Sequence, residues 1–487
     1  MTMSRSGDPA EPGGPPARSA EEFLTSAEQE LLGLAIDAQR AEWVYETYIT
    51  SDTAALTAKA DGLLLQATAR FAHEASRYTM PSIPPGIARR LAKIRLTNSE
   101  IPPHDPERAA ELSQLAAKMR GHFASAKYIP KGQSEGIDLN EIGRIFARSR
   151  DPGELQSVWV GWHDTAAAIR PSYARFVELA NQGAREVGFR DAGDRWRSNY
   201  DMSADDFTSE VQRLWNVVRP FYTLLHAYVR KRLHERYGGS VVPRSGPIPA
   251  HLLGNLWAQS WLQLLPLVDT SESSPRFDLE SVLHRKSVTP KEMVAYAERF
   301  FTSLGLDPLP STFWERSLLT RPMDREVLCH ASAWDMDFDL DLRIKMCVDV
   351  GAEDFFVVHH EVGHLVYDRA YRHLPFLERE GANDGFHEAL GDTIVLSMTP
   401  SYFREVGLME PEEPSSEPRT LLLARALDKV AFLPFGLAVD EWRWKVFDGT
   451  IGADAYNRNW WRLREQYQGI APPVPRGEEA FDPGAKM

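Results

Sequence analysis

Apolar residues recur along most of the chain at the three- and four-residue spacing that is typical of amphipathic helices. Residues 20–78 are rich in Ala, Leu and Glu and contain few helix breakers, which favours helices throughout this segment. Ser26 is a candidate N-cap for a first helix that runs to about Tyr48. The apolar face predicted along that helix comprises Leu31, Leu34, Ala35 and Ala38.

Helical patterns return at residues 105–127, 153–187 and 205–236. A further apolar segment, His251 to Leu265, predicts another helix, which Pro266 should end because proline cannot continue the backbone hydrogen bonding. Period-2 alternation appears chiefly near residues 331–347 and predicts one short β-hairpin. Since strands and helices do not alternate elsewhere, the pattern predicts a mainly α fold.

Composition narrows the class of partner. The chain has 43% hydrophobic and 25% charged residues, as soluble globular proteins do, and its formal net charge is -14. Nucleic acids and anionic membranes require basic patches, so neither is an expected partner.

No apolar stretch is long enough to cross a bilayer. Residues 1–20, rich in Pro, Gly and Ser, predict a disordered tail and lack a signal-peptide core, so a cytoplasmic location is expected unless a leader is missing.

Two local patterns have a structural interpretation. Acidic residues alternate at Asp335, Asp337, Asp339 and Asp341, which suggests a calcium loop. Leu340 and Met346 stand where that loop requires Gly and Glu, so we interpret the aspartates as the charged solvent face of the hairpin.

The two cysteines, Cys329 and Cys347, are too few for a disulfide scaffold or a thiolate zinc site. Composition alone favours free buried thiols.

The candidate chemistry begins with the sequence H-E-x-x-H at residues 360–364. On a helix, His360 and His364 lie on one face and can direct both imidazoles at one metal ion, with Glu361 beside them to handle the proton of a water molecule. Such a motif also occurs by chance in proteins that bind no metal.

A second segment supports a metal site. After a Gly-rich turn at residues 380–385, a new helix is predicted from Phe386, and it carries Glu388 and Asp392 one turn apart. Glu388 suits the third zinc ligand, and Asp392 suits an acceptor that orients a ligand histidine. His359 and His387 are predicted to point away from the metal face and to have local structural roles.

At these residues the sequence resembles the angiotensin-converting enzyme family of zinc peptidyl-dipeptidases, in a single-domain, bacterial-like form. Weaker similarity extends to about residue 25, so the resemblance covers nearly the whole chain. The segments that carry it are H-L-L-G-N-L-W-A-Q at 251–259, C-H-A-S-A-W at 329–334, H-H-E-V-G-H at 359–364, G-A-N-D-G-F-H-E-A-L-G-D at 381–392, A-F-L-P-F at 431–435, D-E-W-R-W at 440–444, W-W-R-L-R-E-Q-Y-Q-G at 460–469 and F-D-P-G-A-K at 481–486.

The resemblance implies a fold and a set of roles. The fold is a large helical ellipsoid with a deep central cleft, with a single peptidase domain over residues 21–487 and lid helices over about 21–127. The hairpin lies near the zinc site, and Cys329 is joined to Cys347 where the compartment is oxidising. The implied roles are zinc ligation by His360, His364 and Glu388, general-base catalysis by Glu361, orientation by Asp392, and binding of the peptide backbone by His330 and Ala331.

The implied activity is release of dipeptides from the free C-terminus of oligopeptides. Gln259 and Lys486 match the residues that hold the substrate's terminal carboxylate. The related carboxypeptidase branch has Arg in place of Gln259, which shortens the pocket and makes single-residue release the neighbouring alternative. A secreted or periplasmic location is the family's expectation, against the cytoplasmic one above.

The sequence departs from the family pattern in two places. It stops at Met487, before the family's catalytic His, oxyanion Tyr and C-terminal helices, so a non-catalytic or weakly active zinc-binding peptide binder is a second expectation. Tyr200, Trp460 and Arg464 match chloride-site positions, and His163 stands where an anion-binding Arg is expected. The alternative for Trp460 and Arg464 is ordinary packing of a cation on an aromatic ring.

Overall fold

A computed structural model describes residues 18–78, 83–96, 102–132, 134–269, 278–411 and 419–486. These residues are mainly α-helical, which confirms the predicted fold class. Across them, no helix combines the length and apolar character needed to cross a membrane. The α-helices are, in chain order, α1 (Ala20–Thr47), α2 (Ser51–Ala75), α3 (Pro85–Ile94), α4 (Pro106–Ser125), α5 (Leu139–Arg148), α6 (Pro152–Thr165), α7 (Arg170–Glu186), α8 (Ala192–Arg197), α9 (Ala204–Tyr237), α10 (Leu265–Val268), α11 (Leu279–Arg285), α12 (Pro290–Ser303), α13 (Ser311–Arg316), α14 (Ala352–Tyr371), α15 (Asp384–Ser397), α16 (Pro400–Glu405), α17 (Arg419–Arg425), α18 (Ala431–Phe447) and α19 (Tyr456–Gln468). The strands are β1 (Ile248–Pro249), β2 (Ser332–Asp335), β3 (Leu342–Lys345) and β4 (Ile470–Ala471).

The chain divides into two compact units, each built from two stretches of sequence. Unit 1 comprises residues 1–101 and 289–395, and unit 2 comprises residues 102–288 and 396–487. The predicted single peptidase domain with its lid helices stays a prediction. Most of the predicted tail lies outside the described residues.

The first helix begins earlier than predicted. Ser19, rather than Ser26, is the N-cap, and α1 starts at Ala20. The Ser19 hydroxyl accepts from the Glu22 amide at 3.3 Å, and the Glu22 carboxylate accepts from the Ser19 amide at 2.9 Å. This capping box satisfies amides that the first turn leaves unpaired, so it outcompetes Ser26 as the start. The predicted apolar face is correct, with Leu31, Ala35 and Ala38 buried and Leu34 partly buried.

Unit 1 packs helices around the predicted hairpin. β2 pairs antiparallel with β3, with Ser332 opposite Lys345; α13 and α14 pack against the hairpin, and α12 packs on α14. The resulting core is apolar and includes Val294, Phe301, Phe313, Ile344, Val358 and Val362. At one edge, the Trp43 ring of α1 meets the Trp334 ring of β2 with centroids 5.6 Å apart. Cys329 and Cys347, which flank the hairpin, form a disulfide, as the resemblance implied.

The aspartates of the hairpin do not form a common solvent face, so that interpretation was wrong. The Asp337 carboxylate accepts three amide hydrogens of its own turn, each at 3.0 Å, and Asp341 pairs with Arg343 at 2.7 Å. Asp335 is half-buried. Only Asp335 lies on a strand and only Asp339 is exposed, so the alternation of acidic residues does not mark one solvent-facing side of a strand.

In unit 2, the predicted helices at 105–127, 153–187 and 205–236 correspond to α4, to α6 and α7 joined by a 3-10 turn, and to α9. The predicted helix from His251 to Leu265 is wrong, because that segment contains only short 3-10 turns. Gly254 has φ +82°, and a Cβ there would lie 2.6 Å from the Ser260 carbonyl oxygen. The segment is apolar because it is buried on several sides. It does not form an amphipathic helix with one buried face. Pro266 lies in the first turn of α10, where proline is tolerated.

Candidate metal centre

Helix α14 presents the H-E-x-x-H residues on its polar side. Its opposite side buries Phe355, Val358 and Val362 in the core of unit 1, which fixes the rotation of the helix. His360 and His364 therefore lie side by side, with ring centroids 4.7 Å apart. One ligand atom from each histidine and one from Glu361 lie within 4.8 Å of one another.

Helix α15 brings Glu388 to the same point. One Glu388 carboxylate oxygen is 3.3 Å from His360 Nε2, and the other is 3.9 Å from His364 Nε2. Two imidazole nitrogens and one carboxylate are a ligand set that suits zinc and leaves a position for water or substrate. The residues present therefore fit a zinc ion. Asp392, one turn further along α15, places an oxygen 3.7 Å from His360 Nδ1.

The two helices approach closely at a glycine. A Cβ built on Gly391 would lie 2.6 Å from His360 Nδ1, closer than real Cβ contacts allow. Gly391 lies between Glu388 and Asp392 in sequence, so its small size lets α15 bring both carboxylates to the imidazole. The predicted start of α15 at Phe386 is two residues late, since the helix begins at Asp384.

The electrostatics of the centre set the protonation states. Glu361 is 8% exposed, and its burial together with the Glu388 charge raises its pKa to about 7, although the Ala333 amide bonds to it and opposes this rise. Burial, followed by the charge of His360, lowers the pKa of His364 to about 4. His364 is therefore neutral at pH 7, the state in which imidazole binds a metal.

The two additional histidines behave differently from each other. His359 is fully buried and its Nδ1 bonds to the Phe355 carbonyl at 2.7 Å, away from the ligand cluster, as predicted. His387 instead lies 3.3 Å from His364, between the two Nδ1 atoms, and its Nε2 is 2.9 Å from the Tyr371 hydroxyl. The Tyr371–His387 pair was missed. The available signal was the position of Tyr371, seven residues after His364 and so on the same side of α14.

A cavity of about 570 Å³ opens beside the centre within unit 1, and His360, Glu361, His364 and Glu388 line it. His330 and Ala331 also line it, immediately before β2 rather than on the strand. Lys345, which is 2% exposed, donates to the His330 carbonyl at 2.9 Å and pairs with Glu46 of α1 at 2.7 Å. The residues predicted to bind peptide backbone therefore adjoin the candidate metal ligands.

A sequence model described as angiotensin-converting enzyme matches residues 15–487 of the chain. The chain belongs to the angiotensin-converting enzyme family. It is 39% identical to angiotensin-converting enzyme of Bos taurus over 92% of its own length, and 40% identical to that of Sus scrofa over 92%. It spans about a third of these relatives, 34% in both cases. Against angiotensin-converting enzyme of Theromyzon tessulatum it is 37% identical, with 96% of the chain and 77% of the relative covered.

Gln259 and Lys486, the residues predicted to bind the substrate's terminal carboxylate, meet in unit 2. The Lys486 ammonium donates to the Gln259 side-chain oxygen and lies 4.6 Å from the centroid of the Trp257 ring. Desolvation, followed by the nearby charge of Arg464, lowers the pKa of Lys486 to about 8. The pair thus offers a cation and an amide at one place at neutral pH.

The residues predicted to bind chloride are only partly brought together. Arg464 is buried against the Trp460 ring at 5.0 Å and donates to the Trp257 carbonyl at 2.6 Å, while its Nε has no hydrogen-bond partner among the described residues. Tyr200 stacks on the ring of Phe207 at 4.0 Å. No chloride contact follows from these distances, so the three positions stay predictions.

His163 occupies the position of the expected anion-binding arginine. Its ring stacks on Trp159 at 3.7 Å, and its Nδ1 bonds to the Trp159 carbonyl at 2.8 Å. Burial lowers the pKa of His163 to about 4, so the ring is neutral at pH 7. This position therefore lacks the positive charge that an arginine would provide.

Proposed function

We propose that the chain is a zinc metallopeptidase that releases dipeptides from the free C-terminus of oligopeptides. The convergence of His360, His364 and Glu388 beside the buried Glu361 carries this proposal. The adjoining cavity supports it, because a peptide must reach the metal to be cleaved. Membership of the angiotensin-converting enzyme family supports the same class of reaction.

The residues of the chain have distinct tasks in this reaction. His360, His364 and Glu388 would hold a zinc ion, which when bound lowers the pKa of water to about 7 and polarises the scissile carbonyl. Glu361 accepts the proton of the attacking water and delivers a proton to the departing amine. The Ala333 amide, bonded to Glu361, holds that carboxylate in place.

The choice of a dipeptide rests on Gln259 and Lys486. A terminal carboxylate is recognised by a cation together with a hydrogen-bond donor, and these two side chains are already in contact. Because Lys486 donates to the Gln259 oxygen, the amide nitrogen of Gln259 is directed elsewhere and is suited to donate to a second carboxylate oxygen.

We also infer that Arg464 and Trp460 bind one chloride ion. The buried Nε of Arg464 supports this, because it has no hydrogen-bond partner among the described residues and an unsatisfied buried donor is destabilising. Because His163 is neutral at pH 7, we expect weak binding. Replacing chloride by acetate at constant ionic strength should lower peptide hydrolysis, and Arg464→Met should remove this difference.

Mass spectrometry of peptide products tests the main proposal. The zinc-loaded chain is incubated with a ten-residue peptide, with the same peptide amidated at its C-terminus, and with each peptide plus a chelator. We expect C-terminal dipeptides from the free acid only, and none with chelator. Glu361→Gln should retain zinc and lose at least about 10²-fold in rate. Glu315→Gln, an exposed carboxylate of α13, is the matched control.

Three other results contradict the proposal in different ways. Release of single residues indicates a carboxypeptidase, and equal cleavage of the amidated peptide excludes recognition of a terminal carboxylate. A folded, zinc-loaded sample that cleaves neither peptide but binds the free acid in calorimetry is a peptide binder rather than an enzyme.

A further inference from the structure

Two carboxylates lie on the wall of the cavity beside the metal centre. Asp368 follows His364 by one turn of α14 and so shares its face, and Asp335 ends β2 two residues after Ala333. Both side chains line the same cavity of about 570 Å³ as Glu361 and His364. Neither carboxylate belongs to the predicted ligand set.

The hydrogen bonds of these carboxylates leave one acceptor unused. Asp368 accepts from the Tyr371 hydroxyl and lies 3.7 Å from His387 Nε2. Asp335 accepts from backbone amides of its own turn, including that of Phe338, but its Oδ1 is buried and has no partner among the described residues. This oxygen is shielded from solvent, so a ligand in the cavity would meet the remaining surface of the two carboxylates, which line it.

No fixed cation neutralises the pair in the part of the chain that the structure describes. Neither Asp335 nor Asp368 forms an ion pair with a lysine or arginine there. Arg379 also lines the cavity, but its guanidinium donates to the carbonyls of Leu374 and Phe338, at 2.7 Å and 3.1 Å. Arg379 therefore adds a positive charge elsewhere in the wall, but among the described residues no lysine or arginine pairs directly with Asp335 or Asp368.

Burial also changes the pKa values of the two carboxyl groups. Desolvation raises the pKa of Asp335 to about 6 and that of Asp368 to about 7, and the Asp335 charge contributes to the rise at Asp368. Such carboxyls bind a proton more readily because burial disfavours the charged form. A positively charged group in the cavity beside both carboxylates would stabilise their ionised forms.

We propose that Asp335 and Asp368 select peptide substrates with a lysine or arginine side chain near the scissile bond. The inference rests on the proposed peptidase function and names the substrate class of that site. Phe338 and Tyr371, which also line the cavity, provide aromatic surface for the aliphatic stem of such a side chain. The carboxylates bind its charged end.

A positional peptide series tests the proposal. Peptides of one length and one background sequence carry either Lys or Met at each position in turn, because the two side chains have similar length and differ in charge. The ratio of kcat/KM for the Lys peptide to that for its Met partner is measured at every position. We expect one position at which the ratio is about tenfold or greater.

Variants of Asp335 and Asp368 test whether these carboxylates cause the preference for Lys over Met. Asp335→Asn and Asp368→Asn should each lower the Lys/Met ratio at that position several-fold, and the double variant should bring it close to one. Glu315→Gln removes the same charge from an exposed site of unit 1 and should leave the ratio unchanged. Each ratio uses one protein preparation, so a smaller folded fraction in a variant does not affect it.

The outcomes separate this inference from the proposed function. If Met peptides are cleaved and no position favours Lys, or if the double variant keeps the preference, the selectivity inference is wrong and the peptidase proposal stands. If no peptide is cleaved, the selectivity inference is tested by the Kd values of Lys and Met peptides for the zinc-loaded Glu361→Gln chain. Equal Kd values at every position overturn the inference.

Discussion

Lys486 shows how one residue's surroundings set its chemistry. An ordinary lysine keeps its charge well above pH 9, whereas desolvation and the charge of Arg464 lower the pKa of Lys486 to about 8. The proposed carboxylate site is therefore cationic at pH 7 and loses its charge as the pH rises through about 8.

This shift predicts a pH dependence of substrate binding. KM for a peptide with a free C-terminus should rise as the pH increases from 7 to 9, because Lys486 becomes neutral and attracts the carboxylate less. Lys486→Met should raise KM at pH 7 and abolish this part of the dependence. Steady-state kinetics over that range make the comparison. A wild-type KM that stays constant would contradict the role assigned to Lys486.

His163 predicts a loss of stability in acid. Its folded-state pKa, about 4, lies below the ordinary value of 6.5, so its contribution is fully present above pH 6.5 and is lost as the pH falls toward 4. This contribution is on the order of 3 kcal/mol. The unfolding temperature should fall over this range, and less steeply in His163→Phe. His284→Gln, an exposed histidine of α11, should retain the wild-type slope.

At the scale of elements, the site depends on how closely α15 approaches α14. Gly391→Ala should weaken zinc binding by at least about tenfold, because the new methyl group meets the His360 ring and α15 must shift with Glu388. Gly385→Ala, on the same helix, places its methyl 3.6 Å from the nearest atom and is the matched control. Competition with a zinc chelator measures both affinities. Equal affinities would show that α15 adjusts without displacing the ligands.

The sequence predicts features that depend on local spacing. His360 and His364 had to meet if the segment was helical, and the hairpin followed from alternation near residues 331–347. The start of α1 was missed because Ser19 and Ser26 are both possible caps, and only Glu22 completes the capping box at Ser19.

Features that depend on tertiary packing could not be predicted in the same way. The apolar segment from His251 to Leu265 looks helical because burial on all sides and burial of one helix face both require apolar residues. Asp335 looked solvent-facing, since alternation does not show what covers a strand. The Tyr371–His387 contact joins α14 to α15, whose separation the sequence does not specify.

At the scale of the whole molecule, all proposed zinc ligands belong to unit 1, on α14 and α15. Binding to the folded state stabilises it by about 4 kcal/mol when free metal is a thousandfold above Kd. Chelation should therefore lower the unfolding temperature and speed amide hydrogen exchange first in α14 and α15. Exchange in α9 of unit 2 is the internal control. Equal acceleration in α9 would show that zinc stabilises the chain as a whole.

The net charge of -14 adds a long-range effect to the proposed selectivity. A cationic peptide is attracted by the field of the whole chain, and this attraction weakens with salt, whereas contacts with buried carboxylates are screened less. The part of the Lys preference that persists at high ionic strength therefore measures the pocket itself.

The buried Lys345 has a consequence for how this protein can change over evolutionary time. Its ammonium forms an ion pair with Glu46 on α1 at 2.7 Å and donates a hydrogen bond to the His330 carbonyl at 2.9 Å. Losing either charged partner strands the other in a site with little water, which is strongly destabilising. Lys345 and Glu46 should therefore be inherited as a pair, and lineages that replace one should have replaced the other.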